Sequence, residues 1–173
     1  MAEQELPGVV EVFVEIPKGS RNKYEWDHDA GRFVLDRMLF SAMHYPGDYG
    51  FIRDSWAGDD DPLDAIVILG EPTFPGCTIR TRVVGVLRMR DDKGEDAKIL
   101  GVPDTDPRWA HVRELDDLPG HLLEEIEHFF ARYKDLEHKE VHLDGWGSRA
   151  DALQEITDSV ARWDALTVKP VMP

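Results

Sequence analysis

Cysteine is almost missing from this chain: Cys77 stands alone in 173 residues, so no internal disulfide can form. Long apolar runs are missing too, and none approaches the roughly 18 residues needed to span a bilayer. The opening Met1-Ala2-Glu3-Gln4-Glu5 is acidic and lacks the basic and apolar regions of a signal peptide. These absences lead us to expect a cytoplasmic protein with no membrane association. Positive charge is also scarce. Twenty basic residues face 35 acidic ones, a formal net charge of −15, which argues against a nucleic-acid partner that would need a basic surface. There is no internal repeat, no interdomain linker and no Gly-rich phosphate-cradling loop, since Ser20 lies in an ordinary Gly-Ser turn.

What remains is a globular composition, 42% hydrophobic, in a chain long enough for one domain with a core. Residues 1–173 read as a single domain with a mobile tail from about 165. Val9–Ile16, Lys23–Asp27, Arg32–Leu39, Asp64–Leu69, Thr78–Met89 and Ala97–Val102 carry the β-branched or alternating pattern of strands. Tyr45–Ile52 mixes turn residues with aromatics. After Pro103 the period changes. Leu118, Leu122, Leu123, Ile126, Phe129, Phe130 and Tyr133 fall at helical spacing, and Leu153, Ile156, Val160 and Trp163 mark a second helix behind the capping pattern Ser148-x-x-Asp151. Val141–Leu143 between them suggests one more short strand. Strands followed by two helices predict an α+β fold: a small five-stranded antiparallel OB-like β-barrel with two main α-helices packed against it.

The acids cluster. Asp59-Asp60-Asp61-Pro62-Leu63-Asp64 sets three carboxylates at the mouth of the apolar run Ala65–Leu69, and in an extended segment Asp59 and Asp61 point the same way. A second group, Asp91-Asp92-Lys93-Gly94-Glu95-Asp96, reads as a hairpin turn with Asp91 and Asp96 nearly opposite each other, and Lys98 shares the face of Asp96. Like charges packed this densely need protons or cations, and hard divalent ions with oxygen ligands suit them. Lys23-Tyr24-Glu25 puts a cation and an acid on one strand face, Glu15 closes the first strand, Arg37 interrupts an apolar strand, and Tyr133-Lys134 ends the long helix. A bare calcium or magnesium binder would have no need of those cations. The calcium-hand pattern also fails, with Pro62 and Leu63 where it needs a ligand and a glycine. An OB-type nucleic-acid module would need a basic, aromatic-studded groove. His138 and His142 are spaced for zinc on a helix but read as entry to a strand, His28 reads as surface, and Cys77 as structural.

Asp59 to Ala65 resembles the Asp-x-Asp-Pro-x-Asp-x signature of the soluble family I inorganic pyrophosphatases. In the family's order stand Glu15-Ile16-Pro17, Lys23-Tyr24-Glu25, Asp36-Arg37, Tyr45-Pro46-x-x-Tyr49-Gly50, Asp91-Asp92-x-Gly94-Glu95-Asp96-x-Lys98 and His128-Phe129-Phe130-x-x-Tyr133-Lys134-Asp135-Leu136. The match runs from about Val9 into the last helix and looks like the compact bacterial, actinobacterial form. The resemblance implies hydrolysis of pyrophosphate to two orthophosphates with several Mg2+ ions per site. Asp59, Asp64, Asp91 and Asp96 would ligate metal, Glu15 would contact a further ion and Glu25 would act through water. Asp61 would be the general base. Lys23, Arg37, Tyr49, Lys98, Tyr133 and Lys134 would hold phosphate. It implies a homo-oligomer, commonly a hexamer. Asp92 stands where other members often carry the longer glutamate.

Overall fold

The computed structural model describes residues 8–173. Among these described residues, nine strands and two α-helices follow one another: β1 (Val9–Ile16), β2 (Asn22–Asp27), β3 (Arg32–Met38), β4 (Asp48–Ile52), β5 (Asp64–Val67), β6 (Thr78–Asp91), β7 (Gly94–Glu95), β8 (Lys98–Pro103), α1 (Gly120–Arg132), β9 (His142–Gly147) and α2 (Arg149–Ala165). The order β1-β4-β5-β8-β6 closes on itself because β6 also pairs with β1, giving a five-stranded barrel. β7 and β9 extend its ladder from β6. Among the described residues no helix is long and apolar enough to cross a membrane.

The barrel is mixed where an antiparallel one was expected. β5 and β8 run parallel, with Asp64 opposite Lys98 and Ala65 opposite Ile99. Two strands running the same way start at the same rim, so this pairing sets an acid and a lysine side by side at one mouth. Both faces of β5 are covered: Ile66 belongs to the cluster that includes Phe129 and Phe130 of α1, and Ala65 and Val67 to the one that includes Ala152 and Ile156 of α2. That double burial accounts for the unbroken apolar run in the sequence.

β4 is a strand within a stretch whose Pro and Gly suggested turns. Gly50 is required there by close packing: a Cβ on it would lie 1.9 Å from the Phe13 carbonyl oxygen of β1. α2 begins as its sequence indicated, with Ser148 and Asp151 capping each other's backbone N–H groups. The chain beyond α2 has no regular structure, but the Val171 carbonyl accepts hydrogen bonds from Trp26 and His28. Among the described residues β2 and β3 pair only with each other, and they form a separate ribbon against the barrel.

Candidate active site

A cavity of about 480 Å3 opens at the barrel mouth where β5 and β8 begin. Every residue singled out from the sequence lines it: Glu15, Lys23, Glu25, Arg37, Tyr49, Asp59, Asp61, Asp64, Asp91, Asp96, Lys98, Tyr133 and Lys134. The barrel supplies Glu15, Tyr49, Asp64, Asp91 and Lys98, the ribbon supplies Lys23, Glu25 and Arg37, and the ends of loops and of α1 supply the rest.

The strand geometry expected for Asp59 and Asp61 is absent. Residues 58–61 form a turn, and Asp60 takes a left-handed conformation (φ 63°) that bends the chain between the two acids. The loop is closed from inside. The fully buried Ser55 hydroxyl donates to the Ile52 carbonyl at 2.6 Å and accepts from the Leu63 N–H at 3.0 Å, while the Ala57 N–H donates to the Asp61 carbonyl at 2.7 Å. The hairpin register also differs. Asp91 faces Gly94, and the Asp96 N–H instead donates to the Met89 carbonyl. A tight two-residue turn with Gly94 at φ 113° leaves no place for Asp96 opposite Asp91. Each acid meets its own lysine: Asp91 pairs with Lys134 at 3.1 Å, and Asp96 with Lys98 at 2.6 Å.

Lys98 is the hub. Its buried ammonium lies 2.5 Å from Asp64 and 5.4 Å from the centre of the Tyr49 ring, and the Tyr49 hydroxyl donates to the same Asp64 oxygen at 2.7 Å. Burial works against the Lys98 charge, but Asp64 and Asp96 outweigh it and hold its pKa well above the ordinary lysine value. On the ribbon, Lys23 bonds Glu25 and lies 3.5 Å from Asp36. Arg37 bridges Asp36 and, at 3.0 Å, Glu137. Asp36, Glu137 and the pocket-lining His28 and Lys139 were not singled out as site residues. Glu137 lies 100 positions from Arg37, and no local pattern announces such a pair.

The acids carry the strain of crowding. Burial pushes Glu15 up to about 8, against the Trp26 N–H that donates to it at 2.8 Å. Burial, with Asp64 and Asp59 nearby, raises Asp61 to about 6, although its side chain keeps contact with solvent. Burial raises Asp96 to about 6 despite Lys98, and burial with Asp64 raises Asp59. Asp91 goes the other way. Burial is outweighed there by the Lys93 N–H and by Lys134, which hold it below the usual carboxylate range.

Nine carboxylates and six lysine or arginine side chains line the cavity, so with every carboxylate ionised its formal charge is negative by three. Among the described residues, Asp59 Oδ1 is buried with no hydrogen-bond donor of its own. Among the described residues, no three His, Cys, Asp or Glu side chains converge closely enough to hold an ion as they stand.

A closed barrel whose mouth gathers oxygen donors among lysines and an arginine has the chemistry of a phosphate-processing hydrolase. A model of the inorganic pyrophosphatase family matches residues 12–164. The inorganic pyrophosphatases of Leifsonia xyli subsp. xyli and Corynebacterium efficiens are each 53% identical to this chain, covering 90% of it and 96% and 99% of their own lengths. The crystal structure of the Thermus thermophilus inorganic pyrophosphatase superposes with a TM-score of 0.91 at 44% identity, covering 95% of this chain and 97% of that one. The chain belongs to the family I inorganic pyrophosphatases, and its activity is the hydrolysis of inorganic pyrophosphate. The family is generally Mg2+-dependent.

Proposed function

We propose that pyrophosphate is split in the barrel-mouth cavity with Asp61 as general base. The reading rests on one observation: acids and cations from six separate stretches of chain share a single cavity of about 480 Å3. Magnesium, when bound, supplies the positive charge that lets a polyanion enter an acidic basin and makes nearby water more acidic. Asp59, Asp64, Asp91 and Asp96 would hold several such ions, with Glu15 contacting a further one and Glu25 acting through water. Asp59 Oδ1, buried and unpartnered, is the clearest donor waiting for a cation.

The protein's own part is positioning and charge. Asp61 remains reachable by water and accepts a proton from the attacking water molecule; a carboxylate raised to about 6 is a better base than an ordinary one. Lys23, Arg37, Lys98 and Lys134 are now paired with carboxylates. Phosphate oxygens replace some of those partners when substrate enters, and the planar fork of Arg37 suits two oxygens at once. Tyr49 and Tyr133 add hydroxyl donors. Little covalent chemistry falls to the protein in phosphoryl transfer, where positioning and electrostatics dominate.

A hexamer belongs to the same reading. Leu35 and Met38 on β3 and the following Phe40 are more than half exposed and offer apolar surface for subunit contact. Light scattering measures the subunit number. The compartment we propose is the cytoplasm, in keeping with the lone cysteine. Phosphate release from pyrophosphate, with magnesium and then with excess chelator, tests the catalytic reading. Rapid release abolished by chelator is expected, and metal binding without turnover would leave only a cation-binding protein.

A further inference from the structure

The ribbon of β2 and β3 stands outside the barrel's hydrogen-bond ladder, yet it brings Lys23, Glu25 and Arg37 to the cavity. A two-stranded ribbon is marginal by itself, so what it is fastened to decides where its charges sit. One fastening is aromatic: the Trp26 ring meets Phe13 of β1 edge-on at 5.7 Å, and Phe33 of β3 stacks on the same Phe13 at 5.6 Å. A second is the Arg37–Glu137 pair at 3.0 Å. The third comes from the far end of the chain. The Val171 carbonyl accepts from the Trp26 indole Nε1 at 3.3 Å and from His28 Nδ1 at 2.8 Å. Both donors line the cavity, and the Trp26 backbone N–H donates to Glu15 of β1. Trp26 therefore joins tail, ribbon and barrel. The family match ends at residue 164 and α2 at Ala165, so this tail lies beyond both.

We propose that residues 167–173 are a strap that positions the ribbon: through Trp26 and His28, the Val171 carbonyl fixes how closely Lys23 and Arg37 approach the phosphates of the substrate. The effect on affinity rests on the reading of Lys23 and Arg37 as phosphate contacts; the effect on the ribbon does not. Val168 and Val171 are themselves more than half exposed, so the strap's hold on the ribbon runs through the Val171 carbonyl more than through buried apolar side chains.

A chain ending at Leu166 tests this against the full chain. Amide hydrogen exchange across residues 22–38 is expected to quicken while exchange in β5, β6 and β8 does not. KM for pyrophosphate at saturating magnesium is expected to rise roughly three- to tenfold, the span of one or two ordinary hydrogen bonds, with kcat held. Trp26→Phe keeps an aromatic ring, though a smaller one, and loses the indole N–H. It should raise KM in the same direction, and combining it with the truncation should add little to the truncation alone. Lys169→Ala loses the ammonium that lies over Trp163 at 4.8 Å but keeps the strap's backbone, and should leave KM unchanged. Unchanged ribbon exchange in the truncated chain overturns the strap. If Lys23→Ala and Arg37→Ala in the full chain leave KM unchanged, the phosphate assignment falls instead. If they raise KM and truncation does not, the strap has no hold on affinity.

Discussion

Asp61 and Lys98 show how much single side chains decide here. Both lie among carboxylates, and burial acts on both against the charged form. Lys98 keeps its proton because Asp64 and Asp96 are at 2.5 and 2.6 Å, whereas at Asp61 burial and the carboxylates of Asp64 and Asp59 outweigh the opposing influence of His28. The same crowding thus fixes one group as a cation and turns the other into a base. Asp61→Asn keeps the shape and removes the proton acceptor. Turnover should fall roughly 10²–10⁴-fold with the melting temperature held, as expected of a general base. An unaltered rate would take the base role away from Asp61. The pH profile of the native enzyme should show its acid limb at or below about 6, because cations in the loaded site pull the Asp61 value down from there. The identity of these residues was readable from the sequence through the order of short motifs. Their partners were not. Asp36 and Glu137 hold Arg37 from the neighbouring position and from 100 positions away, and His28 looked like surface because nothing local says that the tail comes to meet it.

The strands and helices were largely readable from periodicity, and the exceptions have physical causes. β4 hides behind Gly50, which is there because Phe13 of the neighbouring strand leaves no room for a side chain. The parallel sense of β5 and β8 is a property of pairing, and no feature of either strand alone encodes it. The acid loop was read as extended but is a turn, bent at Asp60 and held together by Ser55. Ser55→Ala leaves the Leu63 N–H without its acceptor in a buried place. It should destabilise the fold by about 1–3 kcal/mol, measured by denaturant midpoint at unchanged slope. Activity should fall along with it, since the loop carries Asp59 and Asp61. Full retention of stability would mean that water or a shifted backbone replaces the hydroxyl.

The metal-free molecule stores its cost in protons. Glu15, Asp61 and Asp96 all have pKa values above those of an unfolded chain, so at these three groups the folded state binds more protons than the unfolded one up to about pH 8, while aspartates held low, such as Asp91, act the other way only near pH 4. Their contribution favours folding at the acid end of that window and is lost as pH rises through the folded values, with Glu15 covering the upper part. The melting temperature of the chelated protein should therefore decline from about pH 6 to about pH 8. Magnesium should raise it, and by more at the higher pH, because protons compete for the same oxygens. A melting temperature that climbs with pH in chelator, or a magnesium effect larger at the acid end, would contradict this account of the basin.

The parallel pairing of β5 with β8 has a consequence in time as well as in space. Asp64 and Lys98 are 34 residues apart, and they meet only after β6 has gone out and returned as β8. No fragment short of that excursion can bring the two together, and contacts of such separation form late because chain entropy is spent before they reward it. A refolding population should therefore recover turnover no sooner than its last ring closes, and enzyme units become a count of finished barrels.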